Sequence, residues 1–350
     1  MFRTAILLFA FFLAHCGGPS LTFGGSEPSP AAVEREYRIF IVNSYHPEYF
    51  WSAEQSQAVR DALSGLKLVV HEYFMDSKRH PGEEWLAQQK EICLAEIAAF
   101  KPDLIFTGDD NATRTIAPHF QGQALPLVFY GVNAEPESYG LVAGGNRQAP
   151  GGNITGVLER LFFDEAVSKL GLLCHVNNIP FTRLYLVTDD SYTSVKLFEQ
   201  IHAEKWKFAV ERVFLPLVST FSQYKSLIDE INHAGNALFV YNLQTLKDAE
   251  GRYVDYREVL AWTRARLTIP SSAFMRKYVE EGLMFGMLVS GYNQAFHAAL
   301  KAKKILFGTP PGVIPIEAPP HGATALNRTT IERLGFKVPL DMLFGAEIFD

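Results

Sequence analysis

Twice along this chain a short, almost unbroken apolar run stops on a polar turn and gives way to a stretch with helical spacing. No other feature limits the fold as strongly. Arg38-Ile39-Phe40-Ile41-Val42 stops at Asn43-Ser44, and apolar residues at helical spacing follow from Ala53 to Leu63. Leu66 to Tyr73, rich in β-branched and aromatic residues, reads as a second strand, and Glu83 to Phe100 as a long helix. Pro102 to Thr107 and Pro126 to Gly131 add two buried strands. The grammar then restarts. Arg183 to Val187 stops at Thr188-Asp189-Asp190, and a helical pattern runs from about Ser194 to Lys205. A strand from Val210 to Leu217, a helix around Phe221 to His233 and a strand from Ala237 to Asn242 complete the second series. Strands alternating with helices at this spacing predict parallel sheets with crossover helices. Apolar residues on both strand faces predict sheets covered on both sides. The expectation is an α/β protein of two doubly wound parallel-sheet lobes joined by a hinge.

Ligands of such sheets bind beyond the carboxyl ends of the strands, so two lobes facing each other there enclose a cleft. Turn formers at Gly151-Gly152-Asn153 predict the first passage between lobes. A return is expected through Ser271 to Met287, and a last passage near Gly308 to Gly312, where Pro310-Pro311 excludes helix. The predicted division is therefore 37–152 with 283–308 in one lobe, and 153–282 with 309–350 in the other. Several passages side by side make a hinge able to open and close.

The N-terminus carries an address. Arg3 precedes an apolar run from Ala5 to Ala14, too short to span a bilayer, and residues 1–16 read as an export signal. Residues 17–36, rich in Gly, Ser and Pro, read as a flexible linker. No later segment is long and apolar enough to cross a membrane. A formal charge of −6 with no run of Lys or Arg argues against nucleic acid as a partner. Cys93 and Cys174 lie in apolar, helix-like stretches and read as buried thiols, with a disulfide left open. Ten scattered histidines imply no metal site, and no phosphate loop, nicotinamide fingerprint or nucleophile elbow implies a cofactor or an enzyme.

The strand-end rule selects the candidate binding residues. Asn43, Ser44 and Tyr45 follow the first strand; Asp109, Asp110 and Asn111 the third; Tyr130 and Asn133 the fourth. Asp189 and Tyr192, then Tyr241 and Asn242, face them from the second series. Amides, carboxylates and hydroxyls supply the few directed hydrogen bonds a small-ligand cleft needs, and Tyr adds stacking area with a polar tip. Asn43 and Asn133 fit turn satisfaction equally well, and Asp110 and Asp190 fit helix caps. Tyr45 also fits the cleft lip, Tyr241 strand packing, and Trp51 the core or rim. Asp109 and Asp189 suggest a ligand bearing an ammonium group, such as an amino acid or related zwitterion.

Several segments carry a family resemblance: Asn43-Ser44-Tyr45-His46-Pro47, Gly108-Asp109-Asp110-Asn111-Ala112, Phe129-Tyr130-Gly131-Val132-Asn133 and Asn153-Ile154-Thr155-Gly156-Val157. Ala325-Leu326-Asn327, Leu334-Gly335-Phe336 and Val338-Pro339 extend it. In this order, from about residue 38 onward, the chain resembles the substrate-binding components of ABC importers with the type I periplasmic-binding-protein fold. It is similar also to the extracytoplasmic sensor domains of bacterial signalling kinases. Leu13-Ala14-His15-Cys16-Gly17 resembles a lipoprotein lipobox, with His15 where that pattern has a small residue. The resemblance implies a monomeric, non-enzymatic protein in the periplasm or on the extracytoplasmic face of a membrane, lipid-anchored through Cys16. It would capture a small-molecule ligand for an ABC permease and ATPase complex, the alternative partner being a membrane kinase.

Overall fold

The computed structural model describes residues 35–319 and 322–350. Cys16, the export segment and nearly all of the linker lie outside the described residues.

The first lobe is built from β1 (Glu36–Asn43), α1 (Phe50–Ala62), β2 (Lys67–Phe74), α2 (Glu83–Phe100), β3 (Leu104–Gly108), α3 (Asp109–Phe120), β4 (Leu127–Val132) and β5 (Ile154–Leu158). Its five strands are all parallel, in the order β2-β1-β3-β4-β5. Cys93 and Ile97 of α2 pack with Ile116 and Phe120 of α3 on one face. The other face is closed by α1 and by α9 (Gly291–Leu306), which returns from the second lobe. Ala295, Ala298, Ala299 and Ala302 form one stripe of α9, and their small side chains let the helix lie close to the sheet.

The second lobe holds α4 (Phe163–Val176), β6 (Phe181–Val187), α5 (Tyr192–Ala203), β7 (Glu211–Phe214), α6 (Phe221–Ile231), β8 (Gly235–Val240) and α7 (Tyr256–Arg266). β9 (Ser271–Met275), α8 (Arg276–Glu280), β10 (Phe285–Val289), β11 (Ala323–Asn327), α10 (Arg328–Leu334), α11 (Leu340–Leu343) and β12 (Glu347–Phe349) complete it. The strand order is β12-β11-β10-β9-β8-β6-β7. Five strands run parallel, whereas β11 pairs antiparallel with β10 and carries β12 with it. The reversal follows from the path: β11 is reached from the first lobe, not through a crossover helix on this sheet.

The chain therefore passes between the sheets at Glu159–Phe162, at Ser290, and after Ala318, since Glu317 still pairs with Val157 of β5. The sequence placed 153–158 with the second lobe and 283–289 with the first. Backbone pairing does the opposite: Ile154 is in register with Leu127, and Phe285 with Ser272. Gly151-Gly152 is a turn inside the first lobe, where the Gly151 N–H donates to the Gly312 carbonyl across 2.9 Å. Turn-forming residues mark a reversal of the chain, and composition alone does not separate a loop from a passage. Cys93 and Cys174 lie in different lobes, both buried and both free. No helix among the described residues is long and apolar enough to cross a membrane.

Candidate ligand-binding site

The carboxyl ends of β1, β3, β4 and β5 face those of β6, β8 and β9. On the first wall, β3 runs straight into α3, and the first helical residue, Asp109, takes a left-handed backbone (φ 65) that Asp tolerates better than bulky residues. Its Oδ1 accepts from Trp51 Nε1 at 2.9 Å and from Gln55 Nε2 at 3.2 Å; its Oδ2 is buried without a partner. Gly131 leaves room for this carboxyl, since a Cβ there would sit 2.5 Å from Oδ1. Burial first, then the neighbouring Glu159 charge, holds the Asp109 carboxyl well above the usual carboxylate range.

Glu159 opens the first passage between lobes. Its Oε1 accepts from Tyr241 Oη of the opposite lobe at 2.8 Å, and its Oε2 from Gln294 Nε2 at 3.4 Å. Burial pushes its pKa up to about 7, even with the opposing pull of the Tyr241 hydrogen bond. Two buried carboxyls, both with raised pKa, thus share one end of the interlobe space.

Further contacts hold the lobes together. Tyr45 Oη lies 3.5 Å from Thr193 Oγ1, Tyr139 Oη lies 3.2 Å from Tyr192 Oη, and the Arg114 guanidinium stacks 4.1 Å above the Tyr192 ring. Tyr45, Tyr49 and Trp51 of the first lobe join the apolar core of the second. Among the openings between the lobes are an inner cavity of about 10 Å³, room for one water, and an outer cleft of about 320 Å³. Lys78 lines both.

Of the residues selected from sequence, Tyr45, Asp109, Tyr241 and Asn242 meet around the inner cavity, and Asn242 Oδ1 is buried there without a partner. Asn111 and Tyr192 line the outer cleft. The others are spent on the scaffold. Ser44 Oγ donates to the Gly108 carbonyl at 2.5 Å and accepts the Ala112 N–H at 2.8 Å, capping α3 from β1. Asn43 turns toward Ser56 and Glu72, at 3.4 and 3.5 Å. Asp110 accepts from the Asn133 and Ala134 N–H groups, Asn133 Nδ2 and Tyr139 Oη, which also occupies Asn133. Asp189 accepts five hydrogen bonds, from Ser191 (two), Ser194, Gln244 and Thr245, and so fixes its own turn. Tyr130 is the clearest correction: it lies in the apolar core between sheet and helices, against Gly108, and reaches neither cavity. A residue at a strand end points to the cleft or to a sheet face, and strand alternation sends Tyr130 to the face.

Glu159, Lys78, Tyr49, Thr193 and Met275, which the strand-end selection does not include, line the inner cavity together with Trp51, expected in the core or at the rim. Glu159 follows β5, so the strand-end rule reaches it once that strand is placed in the first lobe; Lys78 lies in the turn after β2, a strand end the sequence already puts there.

Paired α/β sheets, three passages and a cleft at the strand ends define the type I periplasmic-binding-protein fold. The profile described as "ABC transporter substrate binding protein" matches residues 76–347, and the chain belongs to that family. The family and the fold are those of non-enzymatic solute-binding proteins. Among solved structures, the chain is similar to a conserved domain protein from Vibrio cholerae at 16% identity and a TM-score of 0.69, over 90% of this chain and 100% of that one. It is similar also to an ABC domain from Streptococcus pneumoniae in complex with L-Trp, at 17% identity and a TM-score of 0.65, with 90% and 100% covered. A substrate-binding protein with adhesive properties from Clostridium difficile, ligand-free and open, matches at 14% identity and a TM-score of 0.66, with 90% and 99% covered. No curated protein sequence matches the chain.

Proposed function

We propose that this protein captures a small zwitterion, such as an amino acid, between its lobes outside the cytoplasm and hands it to an ABC permease and ATPase complex. The observation that carries the reading is the pair of buried carboxyl groups, Asp109 and Glu159, with Asp109 Oδ2 left without a partner. An ammonium group arriving there meets two carboxyls able to ionise against it. The L-Trp held by the pneumococcal protein is a ligand of this class, which supports the reading. Closure is a population shift, because a ligand that touches both walls favours the shut form over the open one. The inner cavity has room for one water, so a zwitterion between Lys78 and the two carboxyls enters while the lobes are apart and holds them further apart there than in this form. Small-angle scattering of protein stripped of ligand, titrated with free L-amino acids and with neutral sugars, tests this. An amino acid should lower the radius of gyration and be recovered unchanged. Compaction by a sugar alone, or consumption of the additive, contradicts it.

A further inference from the structure

Lys78 is a buried cation with no acceptor among the described residues. β2 ends at Phe74, and the turn after it, with Asp76 in the left-handed region at φ 51, lays the Lys78 side chain into the interlobe space. The residue is 8% exposed and borders three openings at once: the inner cavity, the outer cleft, and a side opening of about 310 Å³ toward Tyr256. Its contacts are ring faces, Tyr45 at 4.4 Å and Tyr49 at 5.1 Å from the ammonium nitrogen. Lys301 shows how this chain treats a buried lysine for structure alone: Nζ donates to the Pro315 carbonyl at 2.7 Å and to Glu317 at 2.6 Å. Lys78 receives no such pair. Of the nearby carboxyls, Asp189 is spent on its five donors and Glu159 on Tyr241 and Gln294, while Asp109 holds Trp51 and Gln55 through Oδ1 and keeps Oδ2 without a hydrogen bond from Lys78. A buried ammonium group with no hydrogen-bond acceptor is costly, and an anion arriving within reach lowers that cost. Burial lowers the Lys78 pKa, against the opposing pull of Asp189, Asp109 and Glu159.

We infer that Lys78 is the seat of the ligand's carboxylate, and that the ligand lies with its ammonium group toward Asp109 and Glu159. This assignment rests on the capture of a zwitterion proposed above and adds its orientation. Lys78 supplies three donors on a point charge, enough for both oxygens of one carboxylate. The two carboxyls at the other end repel an anion placed the opposite way round. Selectivity follows: a ligand without its carboxylate leaves the buried cation unpaired and is rejected.

The test is calorimetric, on protein freed of co-purified ligand. The probes are free L-amino acids, their carboxamides, the amines lacking the carboxyl group, and neutral sugars. At least one free amino acid should bind, with its carboxamide and amine at least 100-fold weaker. Lys78→Met should weaken the free acid at least 100-fold, leave the amine where it was, and melt, ligand-free, at or above the wild-type temperature. A carboxamide binding as well as its acid overturns the assignment without any variant. So does Lys78→Met holding the acid within threefold of wild type, or melting lower than wild type. A neutral sugar bound equally by both proteins removes the carboxylate seat and leaves capture standing. Silence toward every probe removes the zwitterion reading and the seat with it.

Discussion

Tyr241, just beyond β8 of one lobe, donates its hydroxyl to Glu159, at the root of the other, across 2.8 Å, with both side chains buried. The bond ties the two walls at the deep end of the cleft, beside the unpartnered oxygen of Asp109. Removing the hydroxyl leaves the packing in place and deletes one interlobe hydrogen bond. Tyr241→Phe is expected to weaken ligand binding about 5- to 50-fold, the range for one buried hydrogen bond to a carboxyl group. Calorimetry gives the affinity, and scattering should show the liganded variant less compact than the wild type.

Glu159 makes the ligand-free protein sensitive to pH. Its folded-state pKa lies near 7, above that of an ordinary glutamate, so the folded chain holds a proton that the unfolded chain has already lost. The stabilisation is fully present below the ordinary carboxylate range and is lost as pH rises through about 7. Glu159→Gln, a permanent mimic of the protonated acid, should melt with the wild type near pH 5 and above it near pH 8. Thermal denaturation of both proteins across that interval checks the sign.

Asp109 and Tyr130 separate binding from packing. Asp109→Asn keeps the shape, the tolerated left-handed backbone and an acceptor for Trp51, and should cost at least tenfold in affinity with little change in stability. Tyr130→Ala should act on the fold instead, losing about 3–5 kcal/mol as a large buried aromatic does. Tyr130→Phe should be close to neutral in both, because the hydroxyl has no partner. Denaturant unfolding and titration of the three variants give the answer.

The sequence carries the fold further than it carries the site. The helix Glu83–Phe100 and the strands β1, β3 and β6, to within one residue at their ends, follow from apolar spacing alone, because burial on two faces leaves a plain pattern. Strand ends then point to the right turns. Which side chain of a turn faces the cleft is another matter, decided by backbone angles and by competition among local acceptors. Asp109 and Asp110 are neighbours, yet the left-handed kink aims the first into the cavity and the second at the Asn133 loop. Asp189 resembles a ligand contact in sequence and is consumed by its own turn. Lys78 and Glu159 drew no notice because a single charged residue after a strand is ordinary; only the absence of a partner around one, and the burial of the other, sets them apart.

Ligand binding should move protons. An ammonium group settling beside Asp109 and Glu159 lowers both carboxyl pKa values and drives their protons into solution. At a pH just below about 7, calorimetry in buffers of different ionisation enthalpy should report net release, smaller in Glu159→Gln. Net uptake would contradict an ammonium group at that end of the cavity.

If the shut lobes hold one small molecule bearing both an amine and a carboxylate, that molecule should travel with the protein through purification. Native mass spectrometry of freshly purified protein, followed by denaturing release and identification of what was bound, addresses this with no prior choice of ligand. The expected spectrum shows a single adduct per chain, of zwitterionic chemistry, missing from Lys78→Met prepared in the same way. A neutral sugar as the adduct, or the same adduct retained in full by Lys78→Met, would contradict it.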